Sequence, residues 1–287
     1  MAVGVSPYPE GEDAAVLGTV LAKAAAADLM LMSVEPDLPL IVPGFSWKAM
    51  RAQTEQLLHR VRDSYAPDAR LKIETDLAVW RGVERFVRRE HRELLVIGSS
   101  RHAPEGTVLI GKHARQLFEH LHGAVAIAPR GYRNHPEARL RRIGVGCDGE
   151  PESLAALAVA AQLAAGAGAE LSVHGVIDDR VPALGWREVW MGAILEAWQE
   201  VMASEADLLR QKLDTAVAEI GTKATVEVTM GRPADALHAL SRDVDLLVLG
   251  SRRWGPVARL FLGGTGEALA HGAHCPLVLV PKPELDD

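Results

Sequence analysis

The residues best suited to chemistry in this chain are the glycines, hydroxyls and arginines of one short stretch. The run Leu246-Leu247-Val248-Leu249 is followed by Gly250-Ser251-Arg252-Arg253-Trp254-Gly255-Pro256 and, further on, by Gly263-Gly264-Thr265. A loop that leaves a buried strand and returns at a helix start can aim several backbone N–H groups at one anion. Glycine permits the close main-chain approach and the positive φ that such a loop needs. Thr265 offers a hydroxyl, and Arg252 or Arg253 a charge-assisted bond. The same residues also read as ordinary turns between strand and helix, where glycine is common. No Gly-Lys-Ser/Thr follows, as a phosphate-binding NTPase loop would require, and the dinucleotide glycine spacing is absent.

Other chemistries fit less well. His120-x-His122 and His271-x2-His274 invite a metal. Each pair falls at a helix end, however, where imidazoles meet terminal carbonyls, and no Asp or Cys cluster completes a shell. A Gly-x-Ser-x-Gly nucleophile elbow is missing. Trp186, Trp190 and Trp198, with Met191 and Met202, read as core or packing surface rather than a ligand box. Arg81, Arg85, Arg88, Arg89 and Arg92, interleaved with Glu84, Glu90 and Glu93, read as a solvated helix face.

The elements that must position these groups are written twice. Gly98 and Gly250, Gly111 and Gly263, and Pro129 and Pro281 all stand 152 residues apart, and no gap is needed between Glu93–Arg130 and its counterpart. That period is too long for a solenoid, so a domain is duplicated. The polar stretch around Gly131–Arg139 separates the copies, giving domains 1–134 and 135–287. In the second, strands are expected at 142–147, 171–177, 225–229, 246–249 and 276–280, with helices at 152–165, 186–219, 233–242 and from 264. The first repeats this order, with strands at 2–5, 29–34, 71–77, 94–97 and 125–128. Its helices are expected at 12–27, 47–65, 81–90 and 112–121. Strands alternating with helices predict an α/β fold of two tandem, doubly wound, mostly parallel five-stranded sheets. Ligands in such sheets sit beyond the carboxyl ends of the strands.

Composition bounds the partners. The 287 residues carry 31 basic against 38 acidic side chains, a net charge of -7 that disfavours a nucleic-acid partner. Hydrophobic residues make up 48%, enough for packed cores. Cys147 and Cys275 are too few for a disulfide framework and read as free, buried thiols in a reducing, cytoplasmic setting. The longest apolar run, 155–169, is too short to span a membrane. The amino terminus carries no basic leader, so neither a signal peptide nor a membrane partner is expected.

The glycine loop and its strands resemble the universal stress protein family, whose nucleotide-binding members carry Gly-x2-Gly-x9-Gly-Ser/Thr after the fourth strand. Gly250 and Gly263 match its first and third glycines, while Arg253 takes the second glycine position and Gly264 the Ser/Thr position. In the first half Gly98 and Gly111 match, and Arg101 and Lys112 replace the other two. The resemblance implies an adenine nucleotide, ATP foremost and with Mg as companion ion, held by Asp148, Gly149 and Val176 together with residues of the 250–265 loop. By the residues alone, Asp148 is equally a turn or helix-start residue before Gly149. Ser6 replaces the acid in the first half, so a weaker site is expected there, from Val34, Gly98, Arg101, Gly111 and Lys112. The resemblance further implies a regulatory role in stress response, little or no catalysis beyond slow ATP hydrolysis, and pairing of strands 125–128 and 277–280 across a pseudo-twofold. Either an intramolecular pseudo-dimer or a homodimer of whole chains would satisfy that geometry. The alternative is an interaction and dimerisation module whose sites have degenerated.

Overall fold

A computed structural model describes residues 1–37, 46–118, 120–121, 123–179, 191–253, 260–261 and 264–281. The first half runs β1 (Ala2–Gly4), α1 (Pro9–Ala25), β2 (Met30–Pro36), α2 (Trp47–Tyr65), β3 (Arg70–Asp76), α3 (Val79–Arg89), β4 (Leu94–Gly98), α4 (Lys112–Phe118) and β5 (Ala124–Ala128). A short 3-10 turn, Tyr132–Asn134, leads into the second half. There β6 (Arg142–Gly146), α5 (Pro151–Ala167), β7 (Glu170–Ile177), α6 (Met191–Ile220), β8 (Thr225–Met230) and α7 (Pro233–Leu240) come first. They are followed by β9 (Leu246–Arg253), β10 (Leu260–Phe261), α8 (Gly264–Leu269) and β11 (Leu277–Pro281).

Local chemistry sets several boundaries. Proline opens α1, α5 and α7, where its missing N–H costs nothing. Left-handed residues close α1 and α5, at Ala26 and Gly168. Ser46 caps α2, its hydroxyl accepting the Ala49 N–H at 3.2 Å.

The strands form one sheet in the order β3-β2-β1-β4-β5-β11-β9-β6-β7-β8, with β10 paired only to β9. Within each half the five principal strands are parallel. The expected pair of sheets is therefore continuous. Its seam is the antiparallel pair β5–β11, where Ala126 lies opposite Val278. Helices cover both faces. One core layer contains Leu17, Leu58, Leu157 and Leu213, from α1, α2, α5 and α6. The other contains Phe86, Leu117, Leu237 and Leu269, from α3, α4, α7 and α8. The linker is clipped to α1 by fully buried Asp13, whose carboxylate accepts the N–H groups of Gly131 and Arg133, both at 2.9 Å, and pairs with the Arg133 guanidinium.

Two expectations are corrected. The arginines of α3 are not merely a solvated face. Arg89 holds Glu74 at 2.7 Å and Arg85 holds Asp76, two carboxylates of β3 that are otherwise buried. A buried carboxylate without a cation or hydrogen bonds would be expensive, so the edge strand draws its partners from the helix above it. The second correction concerns β9. It does not stop at Leu249 but runs on through Arg253, with Arg252 and Arg253 paired antiparallel to Phe261 and Leu260. Helix α4 is described over Lys112–Phe118, and His120 and Leu121, expected within it, lie outside the helix. The expectations for Trp186, Trp190, Gly255 and Gly263 lie outside the described residues.

Candidate ligand site at the reversal of strand order

In each half the first strand has its sequence successors on one side and the fourth strand on the other, so strand order reverses between β1 and β4, and again between β6 and β9. Helices leave in opposite directions at such a point and open a crevice at the carboxyl edge, the usual ligand position in open α/β sheets. Gly146 of β6 is in register with Leu249 of β9. Asp148, just past the end of β6, and Gly250–Ser251, still within β9, therefore lie on either side of the second reversal.

Asp148 is exposed, and its Oδ1 accepts the Ser153 hydroxyl at 2.7 Å and the Glu150 N–H at 3.1 Å. These bonds tie the end of β6 to the first turn of α5, so the helix-start role read from the sequence is present. Gly149 has φ +76, and the Lys212 side chain of α6 lies across it, with Nζ 3.4 Å from Glu150 Oε1. Lys212 is a neighbour of the site that carries no signal in the local sequence. Burial raises the pKa of the Cys147 thiol beneath this turn.

Gly250 has a steric cause independent of any ligand. A Cβ there would lie 2.5 Å from the Glu152 carbonyl oxygen and 2.7 Å from the Ser153 amide nitrogen. The first turn of α5 crosses β9 at this point, and only glycine lets it. Gly98 repeats the arrangement, because a Cβ on it would run into the carbonyl of Glu10 in α1. Gly111 differs, with a Cβ meeting only Ser100 at an ordinary 3.6 Å, and Gly264 faces open space. Ser251 is buried in β9, while Thr265 is half-buried in the first turn of α8. Val176 is half-buried near the end of β7, and Val34 packs against Gly82 of α3.

The loop between Gly98 and Gly111 folds over and spends its amides. Ser99 Oγ accepts the Leu109 N–H at 2.6 Å, and the Ser100 N–H donates to the Leu109 carbonyl at 2.8 Å. Buried Val108 and Ile110 donate across to the carbonyls of Ala273 and Ala270, at 2.8 and 2.9 Å, just beyond α8 of the other half. Arg101 and Lys112 remain on the exposed surface.

Of the four helix-end histidines, His120 meets the Gln116 carbonyl and His271 that of Glu267, His274 packs edge-on against His238, which itself meets the Gly272 carbonyl, and His122 lies outside the described residues. Among the described residues no group of three or more His, Cys, Asp or Glu side chains is placed to hold a metal ion, and no helix is long and apolar enough to cross a membrane. A cavity of about 1280 Å³ lies beneath the linker, where the starts of the second-half strands adjoin the end of β5; it is lined in part by Arg139, Arg142 and Asp245 and does not include Asp148 or Gly250.

Comparison with known proteins places this geometry. The profile of the universal stress protein family matches residues 139–281. A universal stress protein of Mycobacterium tuberculosis is 30% identical over 194 residues, covering 66% of this chain and 64% of that protein. The chain thus spans a little under two thirds of that relative's length. A shorter universal stress protein of Synechocystis is 30% identical over 111 residues, which are 38% of this chain and 100% of that protein. Among solved structures, a universal stress protein of Archaeoglobus fulgidus superposes with a TM-score of 0.68 at 16% identity, covering 98% of both chains. A Pseudomonas aeruginosa structure superposes at 0.62 and 14% identity, covering 98% of this chain and 92% of that one. These two similarities establish a shared α/β, Rossmann-like fold.

Proposed function

The chain belongs to the universal stress protein family, and from that premise we propose that it is a regulatory protein that binds an adenine nucleotide in its second half, residues 135–287. ATP is the nucleotide of choice. The observation that carries this reading is the position of Asp148, just after β6, and of Gly250–Ser251, within β9, on either side of the strand-order reversal. Asp148 uses Oδ1 for the α5 start, while its carboxylate stays on the exposed surface, where it can accept ribose hydroxyls. The open space above Gly264 leaves room for a phosphate beside Thr265. Val176 would meet the adenine.

The first half, residues 1–134, is the weaker site in this reading. Ser6 replaces the acid, and the amides of Ser100, Val108 and Ile110 are already engaged. Lys112 and Arg101 could still meet an anion there. Binding would act by mass action, stabilising one conformation and biasing a partner surface. Hydrolysis would be slow and incidental, because phosphoryl transfer needs a positioned base and charge clamps that the described residues do not assemble. A docking module without nucleotide is the second reading, favoured by the commitment of the 98–111 loop to contacts between the halves.

Calorimetric titration with ATP, with and without Mg, tests the proposal. Wild type should bind one equivalent tightly, and Gly264→Val should weaken binding without lowering the melting temperature. No heat of binding to the folded wild-type protein would leave the docking reading.

A further inference from the structure

The pseudo-twofold relating the halves passes through positions that meet their own counterparts. In a dimer of identical halves such positions would face themselves, so they report which partner the surface fits. Three of them are unlike pairs. On the sheet, fully buried Ala126 and Val278 stand opposite each other, 152 residues apart in sequence and equivalent in the two copies. Between the helices, Ala24 and Gly166 are the penultimate residues of α1 and α5, two 17-residue helices each opened by proline. A Cβ on Gly166 would fall on the carbonyl oxygen of Ala24. On the rim, Arg115 Nη1 meets Glu267 Oε1 at 3.1 Å, and Arg115 Nη2 meets His271 Nε2 at 2.9 Å.

Each pair is complementary in a way that like halves could not be. Two first halves would set Ala126 against Ala126 and leave a gap, Ala24 against Ala24 where there is no room for a Cβ, and Arg115 against Arg115. Two second halves would crowd Val278 against Val278, separate Gly166 from Gly166 by a void, and oppose Glu267 with Glu267. Gaps and overpacking in a close-packed interior both destabilise, and facing like charges exclude wrong partners.

We propose that this face is a partner-selective lock that fits an unlike half, here the other half of the same chain, and that it rejects the like half of a second copy. The seam strands are consumed internally, so association of whole chains must use another surface. Each molecule then carries its two unlike ligand ends in a fixed one-to-one ratio. The inference is independent of whether either end binds a nucleotide.

Cysteine crosslinking of the full-length protein tests it. Arg115→Cys, Glu267→Cys and the double variant are treated with a short bismaleimide, the native Cys147 and Cys275 being buried. The double variant should give an internal crosslink at the mass of one chain, and the single variants no covalent dimer. Arg115→Cys also removes the repulsion between like arginines, which makes its failure to dimerise the stricter result. A covalent dimer from either single variant, or no internal crosslink in the double, overturns the proposal. Circular dichroism of each variant confirms that the fold is intact before the reagent is added.

Discussion

Arg115 and Glu267 occupy the same position in the two copies of the duplicated domain, and their side chains meet across the seam at 3.1 Å. One copy carries the cation and the other the anion. A duplicated gene can evolve such a pair only because its two halves are free to differ. Both groups are about half exposed, at 45% and 51%, so the contact contributes more to the choice of partner than to stability.

A charge cycle measures that division. Removing either partner, as Arg115→Ala or Glu267→Ala, should cost only about 0.2 to 1 kcal/mol in urea unfolding at low salt. Arg115→Glu should cost more than Arg115→Ala, because two carboxylates then face each other. Arg115→Glu combined with Glu267→Arg should recover most of the loss. The difference should shrink at about 1 M salt, where screening acts within about 3 Å. If the exchanged pair is no better than Arg115→Glu alone, the contact does not read charge.

The glycines separate into two groups by what a Cβ would meet. Gly98→Ala, Gly166→Ala and Gly250→Ala each drive a methyl into a backbone carbonyl of a packed helix. Each should destabilise by about 1 to 3 kcal/mol, whether or not a ligand is present. Gly111→Ala meets only ordinary contact with Ser100 and should be close to neutral. Thermal unfolding of the four variants checks this ranking, and a neutral Gly250→Ala would remove the packing account of that residue.

This grouping also marks what the sequence could and could not express. The 152-residue register made the duplication and the element order legible, because buried runs such as Leu246–Leu249 and turn glycines repeat without gaps, whereas the β5–β11 seam followed only from the family resemblance. The cause of Gly98 and Gly250 was hidden, since the atoms that exclude a Cβ belong to the helices after β1 and β6, remote in sequence from both. Asp13 carries no signal of its partners in the local sequence, and only the folded chain brings Gly131 and Arg133 to its carboxylate. Nothing in the local sequence of Glu74 and Asp76 names their partners, because Arg85 and Arg89 reach them only once α3 packs over β3. The extension of β9 through Arg253 had no alternating apolar cue of its own, because its partner is the brief Leu260–Phe261 pair.

Asp148 combines a local duty with a proposed ligand contact, and two substitutions separate them. Asp148→Ala loses the bonds to the Glu150 N–H and the Ser153 hydroxyl, and should cost about 0.5 to 2 kcal/mol, as loss of a helix-start acceptor does. Asp148→Asn keeps a side-chain oxygen for both donors, so its melting temperature should stay near wild type. Its ATP affinity should nevertheless fall, because the charged acceptor is gone. Parallel calorimetric and thermal measurements decide between the duties, and an Asn variant with unchanged ATP affinity would confine Asp148 to the helix start.

His174 supplies a pH dependence with a defined sign. Its ring lies on β7, with Nε2 2.9 Å from Ser172 Oγ and Nδ1 3.6 Å from Glu227 Oε2. Burial lowers its pKa below the ordinary value, and the Glu227 carboxylate only partly opposes that shift. The unfolded chain therefore takes up a proton at about pH 6.5 that the folded chain accepts only at lower pH. Between those values the unfolded state binds more protons, so stability should fall as the solution is acidified through about 6.5, and the loss is complete below the folded pKa. His274 shifts in the same direction, by desolvation and by the nearby Arg242 and His238. His174→Gln retains a polar partner for Ser172 and removes the titration. Its unfolding free energy should decline less steeply than that of wild type between about pH 7 and pH 5.5, and equal slopes for the two proteins would assign the acid sensitivity to other groups.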